Sequence, residues 1–439
     1  MRQDPAENIV AFLSFSGDHC GHDKAIEKFT QREWEHVQRW LDDAGLAFYF
    51  LREIKKNNGP DILPPSVLQR LERNYASNEA RIENMSYWFN EINKRFDEKG
   101  VRYEVVKGFS LIPEFCPQAA LRHQGDFDYL VDQESLPSAQ QVLLEVGYRP
   151  QDSHSAKELK FVHPGKEAAR GDEQYSPLTA HAVELHTDIW DSQLHGLADL
   201  SRLFTVQEAT LRQWNGIVFP SQTDTDAFLL QILHACRHLF AQWIRMSSLF
   251  EIGHFLNRRV SDTALWDRVE QRIQDRAVLR ELVVIITELV ARLFDAPIPP
   301  LIKDWGLRIR SGPRIWIDNY ARIWAFGGLP GYQFSLFPPS KLVLFLQQQY
   351  KNTAVPPESS HRSWTASPRA SRIASAIRSK PTLLFSAGLW REQLLFRRTI
   401  FYALAKARYI CEIPRWRWLN RTRPSNASGR IIPQREKLP

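Results

Sequence analysis

The chain of 439 residues has four cysteines, Cys20, Cys116, Cys236 and Cys411, and no two of them form a CxxC pair. That spacing excludes a disulfide framework and a zinc ribbon, and it suits a reducing compartment. The first residues, MRQDPAENIV, lack the apolar run of a signal peptide. Long hydrophobic runs are also missing. The most apolar long window, Val278 to Phe294, contains Arg280, Glu281, Glu288 and Arg292. A membrane-spanning helix does not tolerate that many charges. No internal repeat recurs at the periods of solenoids or propellers. Together these absences lead to the expectation of a cytoplasmic protein.

Apolar and charged residues are present in ordinary globular proportions, and the length allows two to four domains. The net charge of +7 is unevenly spread. From Ser359 to Pro439 there are 17 Lys and Arg against 3 Asp and Glu. That surplus exceeds the whole chain's, so the remaining body is mildly acidic. The acidic body offers no clear track for nucleic acid, which argues against a template-dependent polymerase.

Helical spacing runs from Glu33 to Leu51 and again from Val67 to Asp97, with Pro64-Pro65 between them and Gly100 closing the second. The pattern then changes. Val101 to Val106, Asp126 to Val131, Leu159 to His163 and Ala182 to Ile189 read as strands. A short helical piece follows Gly108, and Pro137 to Val146 reads as a helix ended by Gly147. Helical patterning resumes at Asp224 and is expected to about Tyr350. Mixed strands and helices predict an α+β fold, a small mixed sheet flanked by N-terminal and C-terminal helical regions. The expected divisions are 1–98 helical, 99–200 the sheet core, 201–352 helical, and 353–439 a basic linker and amphipathic tail.

The chemistry concentrates in GDFDYLV. Asp126 and Asp128 lie two apart on a strand, so both point to one face, with Phe127 and Tyr129 on the other. Paired carboxylates repel unless a cation lies between them, and hard divalent cations take oxygen ligands. The pair therefore suits phosphoryl chemistry, although an exposed edge strand could carry it as well. Upstream, Lys107-Gly108-Phe109-Ser110 forms a turn where a phosphate could approach the backbone, with the Ser110 hydroxyl as a donor. Downstream, Glu184, His186 and Asp188 alternate along one strand face. His234, Arg237 and His238 fall on neighbouring turns of one helix. They read as polar tips of a helix beside a cleft, with Arg237 near a nucleotide as the alternative.

In order and spacing these residues resemble the DNA polymerase β-like nucleotidyltransferase superfamily. They look most like its family of uncharacterised bacterial nucleotidyltransferases. The resemblance rests on Lys107-Gly108, Arg122, Asp126-Phe127-Asp128, Leu130-Val131, Leu144 to Pro150 and Val183-Glu184-Leu185-His186. It covers roughly residues 30 to 260 and runs more faintly to 350. Two positions depart from it: Phe109 stands where serine usually follows the glycine, and Glu251 stands where the helical region usually has Asp.

The resemblance implies an Mg²⁺- or Mn²⁺-dependent enzyme that moves a nucleoside monophosphate from a nucleoside triphosphate to a hydroxyl acceptor, on a small molecule, sugar or protein. Asp126, Asp128 and Glu184 would hold the metal. Glu184 could instead take the proton from the acceptor, with Asp188 as the fallback. Gly108 and Ser110 would cradle the triphosphate. Lys107 and Arg122 would neutralise its charge, unless Arg122 pairs with Asp126 or Asp128. A non-catalytic nucleotide-binding or protein-interaction module on the same fold is the alternative.

The tail is separate. Pro356 to Pro381 reads as a Ser/Pro/Arg-rich linker, and the chain from Arg415 on as disordered. The basic amphipathic segment Leu383 to Ile413 is expected to pack on the helical region. The alternatives are an anionic membrane surface, which would make the protein peripheral, and nucleic acid.

Overall fold

The computed structural model describes residues 5–326, apart from 18–20, 58–61, 152–156, 165–170, 191–199, 201–202, 207–209, 241–244 and 320. All of these lie in the first of the chain's two units, Met1–Tyr332. The linker, the basic tail and the end of the expected helical stretch lie outside the described residues.

The backbone of the fold is the long helix Pro65–Glu98. A proline at its first turn costs nothing, because that amide has no helical partner. Ile82, Met85, Phe89, Ile92 and Phe96 recur at spacings of three and four and form one buried stripe. Burying a single ring such as Phe89 contributes about 1.5–3 kcal/mol.

That stripe packs on a mixed seven-stranded sheet, in the spatial order β3-β4-β5-β2-β1-β7-β6. The strands are β1 Tyr103–Val105, β2 Asp126–Val131, β3 Arg149–Gln151, β4 Glu158–Val162, β5 Ala182–His186, β6 Thr210–Trp214 and β7 Ile217–Ser221. β2 is central, antiparallel to β1 and parallel to β5. Phe127, Tyr129, Val183, Leu185 and Phe219 face the long helix and form the core. The period of two then sends Asp126, Asp128, Glu184 and His186 to the opposite face. The fold is α+β, as the patterning indicated, with helices flanking the sheet.

Three differences from the sequence reading have local causes. The first helical stretch is broken into Gln31–Ala44 and Ala47–Asn57, because Gly45 adopts a left-handed conformation with φ 71°. The piece after Gly108 is not α-helical but two 3-10 turns, Gly108–Leu111 and Ala119–Leu121. The sheet also continues past residue 200 through the β6–β7 hairpin, whose turn residues Asn215 and Gly216 both have positive φ.

The helical region beyond the sheet includes Asp224–Phe240, Met246–Arg259, Thr263–Ile273 and Ala277–Phe294. The last is the most apolar window of the sequence. Its acids are ion-paired, Glu281 to Arg310 at 2.6 Å and Glu288 to Arg314 at 2.7 Å. Among the described residues no helix is long and apolar enough to cross a membrane.

Candidate functional site

The sheet register brings the chemistry together. Asp128 stands opposite Glu184, and Leu130 opposite His186, on the parallel pair β2–β5. Asp126 stands opposite Ala182 at the start of the strand. β1 runs into Lys107, and the Val106 amide donates to the Asp128 carbonyl at 3.1 Å. The Lys107 turn is therefore fixed against the D-x-D strand.

Lys107 Nζ donates to Asp128 Oδ1 at 2.6 Å, and His186 Nε2 lies 3.0 Å from the same oxygen. Lys160, opposite Glu184 on β4, donates to Glu184 Oε1 at 2.6 Å. The other Glu184 oxygen lies 3.9 Å from His186 Nε2. One ligand atom from each of Asp128, Glu184 and His186 lies within 4.8 Å of the other two. Among the described residues Asp126 is not part of that set. Of the three expected metal ligands, the structure groups Asp128 and Glu184 and adds His186.

The two aspartates have opposite electrostatics. Burial and the neighbouring Asp128 and Glu184 carboxylates push Asp126 up to about 6. Burial alone would also raise Asp128, but Lys107 and His186 outweigh it and hold that carboxyl well below the usual range. For Lys107 the Asp128 and Glu184 charges overcome the desolvation penalty and raise its pKa. The two carboxyls therefore differ in their readiness to hold a proton, although they lie two apart on one strand face.

The turn itself is tightly built. Gly108 has φ 63°, which glycine adopts without strain. A β-carbon there would also collide with the Gln124 side-chain amide. That amide donates to the Asp126 carbonyl at 2.9 Å, so it links the turn to the strand. Phe109 stacks on Trp214 at 3.9 Å and packs beside Phe89 and Phe127. The residue after the glycine is thus part of the core. Ser110 is buried, and its hydroxyl donates to the Lys107 carbonyl at 3.1 Å, across the turn.

Arg122 pairs with neither aspartate. Its Nε donates to Glu251 at 3.1 Å, and Tyr49 donates to the same oxygen at 2.9 Å. Cys116 lies in this cluster, where burial pushes its thiol up to about 12. Asp188 lies beyond the end of β5. It pairs with Lys157 at 2.7 Å and accepts the Trp190 amide at 3.1 Å.

Lys160 and Gln124 were not singled out in the sequence although they hold the site, and neither was a third residue. Arg81, on the long helix, is buried and donates to four carbonyls: Gln124, Ser176, Thr179 and Ala180. Burial lowers its pKa to about 10. It ties the segments leading into β2 and β5 to one helix. An arginine in an apolar helical stripe was its only sequence signal.

A pocket opens beside Lys107 and His186, lined further by Ile189, Trp190, Leu233, His234 and Arg237. His234 and His238 approach to 3.1 Å through their Nε2 atoms. Burial, with His238 and Lys107 nearby, keeps the His234 pKa well below the ordinary value. Arg237 lies 3.8 Å from Glu158.

With this geometry in view, the comparisons with known proteins are specific. The model of one family, described as uncharacterised nucleotidyltransferase, matches residues 30–295. That span contains the long helix, the whole sheet, the D-x-D strand and the first helices beyond it. No curated protein matches the chain.

Proposed function

Because the chain belongs to this family of uncharacterised nucleotidyltransferases, we propose that it transfers a nucleoside monophosphate from a nucleoside triphosphate to a hydroxyl acceptor, with Mg²⁺ or Mn²⁺ as cofactor. The observation that carries this reading is the register of the D-x-D strand on Glu184, with the Lys107-Gly108 turn pinned beside it. The donor set is mainly oxygen, which suits a hard divalent cation.

Asp128 and Glu184 would hold the cation, with Asp126 beside them on the same sheet face, and when bound it would draw charge from the phosphate oxygens. Asp128 stays ionised because Lys107 and His186 face it. Burial and the Asp128 and Glu184 carboxylates raise the Asp126 pKa to about 6, so a cation held beside it would favour its ionised form. The Gly108 turn offers backbone amides to the triphosphate, and Ser110 keeps the turn closed from behind. Lys107 neutralises phosphate charge from the same turn. Arg122 acts from a distance, through the buried cluster around Glu251.

The test is incubation of the full chain with α-labelled nucleoside triphosphates, divalent metal and candidate acceptors. Release of pyrophosphate with label on an acceptor, lost in Asp128→Asn, supports the reading. Tight nucleotide binding without transfer would favour a binding module on the same fold. Neither binding nor transfer would sink both.

A further inference from the structure

We propose that His186 is itself a metal ligand, so that Asp128, Glu184 and His186 form a site for one first-row transition dication such as Mn²⁺, in preference to Mg²⁺. This presupposes that the site handles a metal-bound nucleotide, and it specifies which ion and how many.

Two of the three donor–donor distances fit within a coordination sphere. Bonds of about 2.1 Å in an octahedral site place neighbouring donors about 3 Å apart and opposite donors about 4.2 Å apart. His186 Nε2 lies 3.0 Å from Asp128 Oδ1 and 3.9 Å from Glu184 Oε2, inside those limits. His186 is buried, so its ring is held rather than free to turn away.

The imidazole is also backed. To present a lone pair at Nε2, neutral His186 must carry its proton on Nδ1. Glu158 stands opposite His186 on β4, with its carboxylate oxygen 3.9 Å from Nδ1. At 3.9 Å this carboxylate is an electrostatic neighbour rather than a hydrogen-bond partner, and its charge favours a proton on Nδ1, the side away from the ligand face. Arg237 lies 3.8 Å from that same Glu158 oxygen, an ion-pair distance without a hydrogen bond.

Charge limits the number of ions. Asp126, Asp128 and Glu184 bring three negative charges. Lys107 and Lys160, each 2.6 Å from one of these carboxylates, already offset two of them. The lysines supply what a second ion would supply elsewhere. Lys160 takes Oε1 of Glu184 and leaves Oε2 for a ligand bond, whereas Lys107 and the ion would share Asp128 Oδ1. An imidazole nitrogen favours first-row transition ions, whereas Mg²⁺ favours all-oxygen sets.

Mn²⁺ added to the full chain is followed by electron paramagnetic resonance, and by pulsed measurements on protein with ¹⁵N-labelled histidine. The expected result is one bound Mn²⁺ per chain with a nitrogen coupling that changes with the isotope. Mg²⁺ should compete only at about tenfold or higher concentration, and His186→Gln should weaken Mn²⁺ by about tenfold while barely changing Mg²⁺. Glu158→Gln should weaken Mn²⁺ by about tenfold and keep the nitrogen coupling. Two equivalent ions, or a bound Mn²⁺ without nitrogen coupling, would overturn the proposal, and that measurement needs no variant. Nucleotide transfer without the coupling would leave the enzyme reading intact and remove this ligand. Coupling without transfer or nucleotide binding would do the reverse.

Discussion

Asp126 and Asp128 differ by two positions on one strand, yet neutralising them should move stability in opposite directions. Asp126 is raised from 3.8 to about 6 by burial and by the Asp128 and Glu184 carboxylates. Above pH 6 it is ionised in both the folded and the unfolded chain, and the fold then bears the repulsion. Below pH 3.8 it is protonated in both, and the cost vanishes. At about 1.4 kcal/mol per pH unit the displacement amounts to about 3 kcal/mol, and because Asp126, at the start of the strand, is only partly buried, solvent screening reduces it to about 1–2 kcal/mol. Asp126→Asn should therefore raise the thermal midpoint by a few degrees at pH 7.5 and by little at pH 4.5. Asp128→Asn should do the opposite. It removes the carboxylate that compensates the buried Lys107 ammonium, at a cost of about 3 kcal/mol. Saturating Mn²⁺ should stabilise the wild type more than Asp126→Asn, because the ion removes the same repulsion. Thermal melts of the three proteins at both pH values decide the matter. If both asparagine variants lose stability equally, or if the Asp126→Asn effect ignores pH, the opposed electrostatics of the pair are wrong.

Gly108→Ala should cost about 1–2 kcal/mol from its φ of 63° and displace Gln124, with a loss of nucleotide affinity by calorimetry. Arg81→Met should cost about 3 kcal/mol or more, because four carbonyls lose their donor, and hydrogen exchange should rise in the segments leading into β2 and β5. Phe109→Ser should destabilise by about 3 kcal/mol in chemical denaturation, because the ring stacks on Trp214. His123 and His181 are pushed down to about 3, chiefly by burial, from an unfolded value of 6.5. Their contribution is full above pH 6.5 and is lost as pH falls from there towards 3, at up to about 1.4 kcal/mol per pH unit for each. The imidazole resonances of His181 should accordingly not titrate above roughly pH 5, and a midpoint near 6.5 would contradict its burial against Tyr148.

Much of the site was legible because it follows local periodicity. The alternation of GDFDYLV places Phe127 and Tyr129 in the core and the aspartates opposite, as the structure shows. The same rule put Glu184 and His186 on one face, but residue type alone did not raise His186 above a bystander. Its significance comes from the β2–β5 register, which is a tertiary fact. The β6–β7 hairpin could have been found. Asn215-Gly216 is a strong type I′ signal, and the strands around it are rich in β-formers. β3, by contrast, has no apolar alternation and is fully exposed, so its pairing with β4 carried no signal. The partner of Arg122 was not legible either, since Glu251 comes from a helix 129 positions away.

The central claim is that a triphosphate lies between the Lys107-Gly108 turn and the D-x-D strand, with a divalent ion on Asp128 and Glu184. A crystal structure with a non-hydrolysable triphosphate and Mn²⁺, using the anomalous signal of the ion, tests this most directly. The account predicts the phosphates against the Gly108 amide and Lys107, with the anomalous peak bonded to Asp128, Glu184 and His186. A triphosphate bound away from the turn, or an ion that avoids Asp128 and Glu184, would contradict it.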